Sequence, residues 1–165
     1  MIYEFCAENV TLLEKAMQAG ARRIELCDNL AVGGTTPSYG VTKAAVELAS
    51  NYDTIIMTMI RPRGGDFVYN DLEIDIMLED IRLTAHAGSQ GVVFGTLTAD
   101  KKLDKPNLEK LIAASKGMEI VFHMAFDELS DEDQLEAIDW LSQAGVTRIL
   151  TRAGVSGDSL EKRFV

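Results

Sequence analysis

Two cysteines, an arginine pair around a proline, a histidine with an aspartate four residues on, and several carboxylates in short apolar runs are the groups that could do chemistry. Cys6 and Cys27 are the whole cysteine complement of a 165-residue chain. A structural disulfide is disfavoured inside cells, which leaves metal binding, redox chemistry or burial as two small hydrophobes. In Ile60-Arg61-Pro62-Arg63-Gly64-Gly65-Asp66 the glycines let backbone approach closely. Arg61 and Arg63 therefore suit a planar carboxylate or phosphate, or else ion pairs with Glu25, Asp28 or Glu4. His123 in Phe122-His123-Met124-Ala125-Phe126-Asp127 can act as acid, base or metal ligand, or simply be a satisfied buried histidine. Glu25, His123 and Asp127 are the candidates for moving protons. Met57 and Met59 offer thioethers, although core packing explains them as well.

Six short apolar runs must position these groups: 2–6, 23–27, 54–60, 91–94, 119–122 and 148–150. They are brief, rich in Ile and Val and bounded by Gly, Asp or Asn, as strands buried on both faces are. Amphipathic stretches separate them, the clearest carrying Ile74, Met77, Leu78, Ile81 and Ala85 on one helical face. Asn70 with Glu73 and Thr11 with Glu14 have capping-box spacing, and Pro106 suits a first helical turn. Ser38 and Ser130 are N-cap candidates, the latter before the acidic turn 131–133. Gly20, Gly88, Gly117 and Gly145 stand where helices should stop.

Strand, helix, strand repetition predicts an α/β fold of parallel βα units, and helices on one face alone close such a sheet into a TIM-barrel-like form. Strand alternation then assigns faces. Ile24 and Leu26 turn to the helices, while Glu4, Cys6, Arg23, Glu25 and Cys27 turn into the lumen. Neighbouring parallel strands lie about 4.8 Å apart, so cysteines at matching strand ends could hold one Cu(I) between two thiolates. The six units average about 27 residues each, normal for a βα repeat, whereas eight would allow only about 21. We therefore expect one incomplete barrel domain over 1–165, stopping before the last two strands, with 158–165 beginning a sixth helix. Its open edges lead us to expect a homo-oligomer.

The formal charge of −10 and a pI near 4.6 disfavour nucleic acid and anionic membrane as partners. No apolar run reaches the roughly 18 residues of a membrane span, and the first residues lack a signal-peptide pattern. A cytoplasmic location is expected.

Several segments together are similar to the CutC family of copper homeostasis proteins. They are Arg23-Ile24-Glu25-Leu26-Cys27, Gly33-Gly34-Thr35-Thr36-Pro37-Ser38, 59–67, Val93-Phe94-Gly95 and 122–127. The resemblance implies a TIM-barrel-like fold, a cytoplasmic setting and a role in copper handling, with copper as the metal at Cys6 and Cys27. Met124 stands where that family usually has arginine, and Arg152-Ala153-Gly154 where it usually has a small or Gly-rich turn. Two readings follow. One is a copper-homeostasis protein binding Cu(I) through the paired cysteines. The other is a barrel enzyme acting on a small anionic metabolite through Arg61 and Arg63, with Glu25, His123 or Asp127 transferring protons.

Overall fold

All six apolar runs become strands that pair in parallel, because each βα unit returns the chain to the same end of the sheet. The structure, a computed structural model, describes residues 2–152. Its strands are β1 (Glu4–Glu8), β2 (Arg23–Cys27), β3 (Ile55–Met59), β4 (Gly91–Phe94), β5 (Glu119–Phe122) and β6 (Arg148–Ile149). They lie side by side in chain order. The connecting helices are α1 (Leu13–Gln18), α2 (Tyr39–Ala49), α3 (Asp71–Ala87), α4 (Lys105–Ala114) and α5 (Asp131–Gln143). Although β1 and β6 are the two edges, both line a single cavity, so the sheet is curled into a TIM-barrel-like half-barrel. The expected helix over 158–165 lies outside the described residues.

Local signals position most helices. Asn70 and Glu73 form both halves of a capping box on α3, and Ser38 and Ser130 accept the N–H groups of Val41 and Asp133. Pro106 lies in the first turn of α4. The expected capping box at Thr11 and Glu14 does not form. The chain enters α1 through Leu12 at φ +57°, which makes Leu13 the first helical residue and moves Glu14 out of the third position. Glu14 instead accepts a hydrogen bond from the Tyr52 hydroxyl.

The first strand also differs from expectation. It runs two residues further along the chain, so that Glu4 faces Arg23 and Cys6 faces Glu25. Cys6 and Cys27 therefore lie diagonally across the ladder rather than at matching ends. The backbone sets this register, with Asn9 N–H continuing the pairing by donating to the Cys27 carbonyl.

Two separate cores result from the alternation. Ile24, Leu26 and Ile56 pack with Leu13, Met17 and Ala45 on the helix side, and Val92, Phe94, Ile120 and Phe122 pack with Ile74, Met77 and Ile81. The lumen holds a smaller layer of Cys27, Met57, Met59, Val93 and Val121. Gly91 faces Met57 in register, and a Cβ there would meet the Met57 side chain at 2.1 Å and the Glu119 carbonyl at 2.7 Å.

Charges close the lumen floor. Arg23, buried at 1% exposure, places Nε 2.7 Å from Glu4 on β1 and Nη1 2.8 Å from Glu119 on β5. One guanidinium thus ties three strands. Removing it strands two carboxylates, each still reaching water. Arg23→Met is expected to lower the unfolding free energy by about 2 kcal/mol, below the roughly 3–5 of a fully buried pair. Urea denaturation checks this, and a change under about 0.5 kcal/mol would show that the tie contributes little.

Candidate functional site

Above this floor the lumen face of β1 and β2 brings three donor groups together. Cys6 Sγ and Cys27 Sγ are 3.9 Å apart, and they lie 3.6 and 3.7 Å from Glu25 Oε1. A triangle with these sides has its centre about 2.2 Å from every corner. That matches metal–sulfur and metal–oxygen bonds of about 2.0–2.3 Å, as zinc sites exemplify. Cys6, Glu25 and Cys27 form the one such cluster of three found among the described residues. Two thiolates and a carboxylate suit a soft ion such as Cu(I) better than a hard one.

The surroundings set the protonation. Burial, followed by the nearby negative charge of Glu4, raises the Glu25 carboxyl above its ordinary range, while hydrogen bonds from the two thiols oppose the rise. The Cys27 thiol is pushed up by its shared hydrogen bond with Cys6, then by burial and the Glu25 charge. Both shifts favour the protonated forms of Glu25 and Cys27, so a cation binding there would compete with protons. The loop before α2 closes over it. Gly34, at φ +91°, puts its backbone against Cys27, where a Cβ would stand 3.0 Å from Sγ.

The cluster forms one wall of a cavity of about 530 Å³. Glu4 and Cys6 line it from β1, Val121 from β5, and Arg148 and Ile149 from β6, with Met124 and Arg152 at the strand ends. Cys6 is exposed to this space and Cys27 is buried behind it.

Other residues expected to act at the site are placed elsewhere. Arg61 does not pair with Glu25, Asp28 or Glu4. Its Nη1 donates to the carbonyls of Val32 and Gly34 and its Nη2 to that of Gly65, so a buried guanidinium stitches two strand-end loops together. Arg63 is held by Glu73, Asp66 and the Val68 carbonyl, and its guanidinium lies over Tyr69. Asp127 accepts from the Thr151 hydroxyl and the Arg152 N–H. His123 is fully buried, packs on Phe67 at 4.9 Å between ring centres and accepts the Ala125 N–H at Nδ1. Gly95 leaves room for it, since a Cβ there would lie 2.8 Å from the imidazole. No hydrogen bond among the described residues joins Glu25, His123 and Asp127.

Burial, and secondly the positive charge of Arg61, pushes the His123 imidazole down to about 3. Unfolded histidine binds its proton near 6.5. Between those values the unfolded chain carries one more proton, so stability falls as pH drops, by about 1.4 kcal/mol per unit from this group. The His123 ring signals should stay those of a neutral imidazole from pH 8 down to pH 4 in an NMR titration. Movement with a midpoint above pH 5 would contradict this burial.

Arg148 and Glu119 carry no sequence signal for the lumen, since a two-residue strand has no alternation to read and Glu119 opens its strand. Met124 and Arg152 were visible only as departures from a family pattern.

Comparison with known proteins gives a consistent result. The sequence model of the CutC family matches residues 1–163. A CutC family protein of Enterococcus faecalis is 54% identical over 99% of this chain and 78% of its own length. A human copper homeostasis protein cutC homolog is 41% identical over 97% of this chain and 56% of its own. The crystal structure of a CutC protein from Streptococcus agalactiae superposes with a TM-score of 0.95 at 47% identity, covering 99% of this chain and 78% of that one. With its half-barrel, its motifs and the family match running together along the described residues, this chain belongs to the CutC family.

Proposed function

We propose that this protein binds one Cu(I) between Cys6 and Cys27, with the Glu25 carboxylate as third donor, and serves copper handling in the cytoplasm. The near-equilateral triangle of donors carries the reading: one ion reaches all three at ordinary bond lengths without movement of the backbone. Thiolates select Cu(I), and the cytoplasm keeps thiols reduced. The human relative named for copper homeostasis supports the same direction.

The diagonal placement of the cysteines favours a metal over a disulfide. From the strand spacing of about 4.8 Å and a rise of about 3.3 Å per residue, their Cα atoms are roughly 8 Å apart. A disulfide beyond about 7 Å demands backbone movement. An ion spans the thiols as they stand.

Anaerobic Cu(I) titration against a chromophoric competitor tests the proposal. Wild-type protein should bind one equivalent, more weakly as pH falls because protons compete for Cys27 and Glu25. Cys27→Ser and Cys6→Ser should each lose at least about a hundredfold in affinity, roughly 2.7 kcal/mol. Unchanged affinity in either serine variant overturns it.

A further inference from the structure

One thiol of the donor triangle is reached from the cavity and the other is not. Cys6 and Glu25 line that space together with Leu30 and Gly33 of the loop before α2, whereas Cys27 has no exposed surface. The backbone of the same loop lies against Cys27 at Gly34, where a Cβ would stand 3.0 Å from Sγ.

A cover made of two glycines has no side chains to anchor it. Gly33 and Gly34 take φ values of +89° and +91°, a bend glycine adopts freely, so the segment must be held from outside. Arg61 holds it. Its Nη1 lies 2.8 Å from the Val32 carbonyl and 2.9 Å from that of Gly34, gripping the chain on either side of Gly33. Nη2 lies 2.7 Å from the Gly65 carbonyl, which fixes the guanidinium itself to the loop after β3. The main chain repeats the tie. Arg61 N–H donates to Thr36 Oγ1 at 2.9 Å, and Thr36 N–H donates to the Arg61 carbonyl at 2.9 Å. Because the guanidinium is buried, it needs these carbonyls as much as the loop needs it.

We propose that Arg61 is a positioning residue of the copper site: by holding the Val32–Gly34 segment over Cys27 it closes off the buried thiol, so that the ion enters and leaves past Cys6. This rests on the Cu(I) reading above and adds the route to the site and the residue that guards it. Cys6 is then the accessible donor and Cys27 the retaining one.

The cover is tested first without metal. Modification of Cys27 by the chromogenic reagent dithionitrobenzoate is timed in a Cys6→Ser background, and that of Cys6 in a Cys27→Ser background, with circular dichroism confirming folding. Arg61→Lys keeps the charge but cannot span the same carbonyls. It should raise the Cys27 rate about tenfold, the loss of roughly one charge-assisted hydrogen bond from the closed loop, and leave the Cys6 rate unchanged. Gly34→Ala drives a Cβ against Sγ with Arg61 intact, and should do the same. Leu108→Ala opens a cavity in the helix-side core and lowers stability elsewhere, yet should leave Cys27 protected. Anaerobic release of Cu(I) from the two-cysteine chain to a chromophoric competitor should quicken about tenfold in Arg61→Lys and not in Leu108→Ala. Cys27 as protected in Arg61→Lys and Gly34→Ala as in wild type overturns the proposal. Equal exposure of Cys27 in Leu108→Ala, or unchanged copper release from Arg61→Lys, overturns it too. A chain with the expected thiol pattern that takes up no Cu(I) overturns the copper reading instead, and the Arg61 cover over Cys27 stands without it.

Discussion

Side-chain alternation along β2 is the constraint on which the molecule depends. It sends Ile24 and Leu26 into the helix-side core and leaves Arg23, Glu25 and Cys27 to share the lumen. All five residues of this strand are buried, so every polar group on the inner face requires a partner. Arg23 finds Glu4 and Glu119, and Glu25 finds two thiols. The floor of the half-barrel is therefore ionic, and the layer above it is a cluster of sulfur and carboxylate. Burial raises Glu25, and the hydrogen bond with Cys6 followed by burial raises Cys27, so both groups favour their protonated forms.

The strand-end loops follow from a second buried cation. Arg61 uses three backbone carbonyls as its partners, which fixes the loop after β2 against the loop after β3. Its charge and the packing of Phe67 bear on His123, whose neutral ring is part of the scaffold around the mouth. Arg61 and His123 thus hold the loops, and of the three clustered donors the Cys6 thiol is the exposed one.

Much of this was legible in the residues. The uniform faces of β2 gave the inner set, and Ile74, Met77 and Ile81 with the Asn70 cap gave α3. Register between β1 and β2 was not legible, since a slip of two residues preserves each side chain's face while changing its neighbour. That slip places Cys6 opposite Glu25 and turns a thiol pair into a three-donor cluster. The partners of Arg61 were equally hidden, because backbone carbonyls belong to every residue and leave no mark in sequence. Leu12 at φ +57° is imposed by the turn after β1, which local propensity at Thr11 could not reveal.

The proposed site places one copper ion among Cys6, Cys27 and Glu25. X-ray absorption at the copper edge of protein loaded with one equivalent of Cu(I) measures its surroundings most directly. Two sulfur scatterers and one oxygen, all within about 2.0–2.3 Å, are expected, with the oxygen altered in Glu25→Gln. A single sulfur, a shell of nitrogen and oxygen alone, or copper–copper scattering would contradict it.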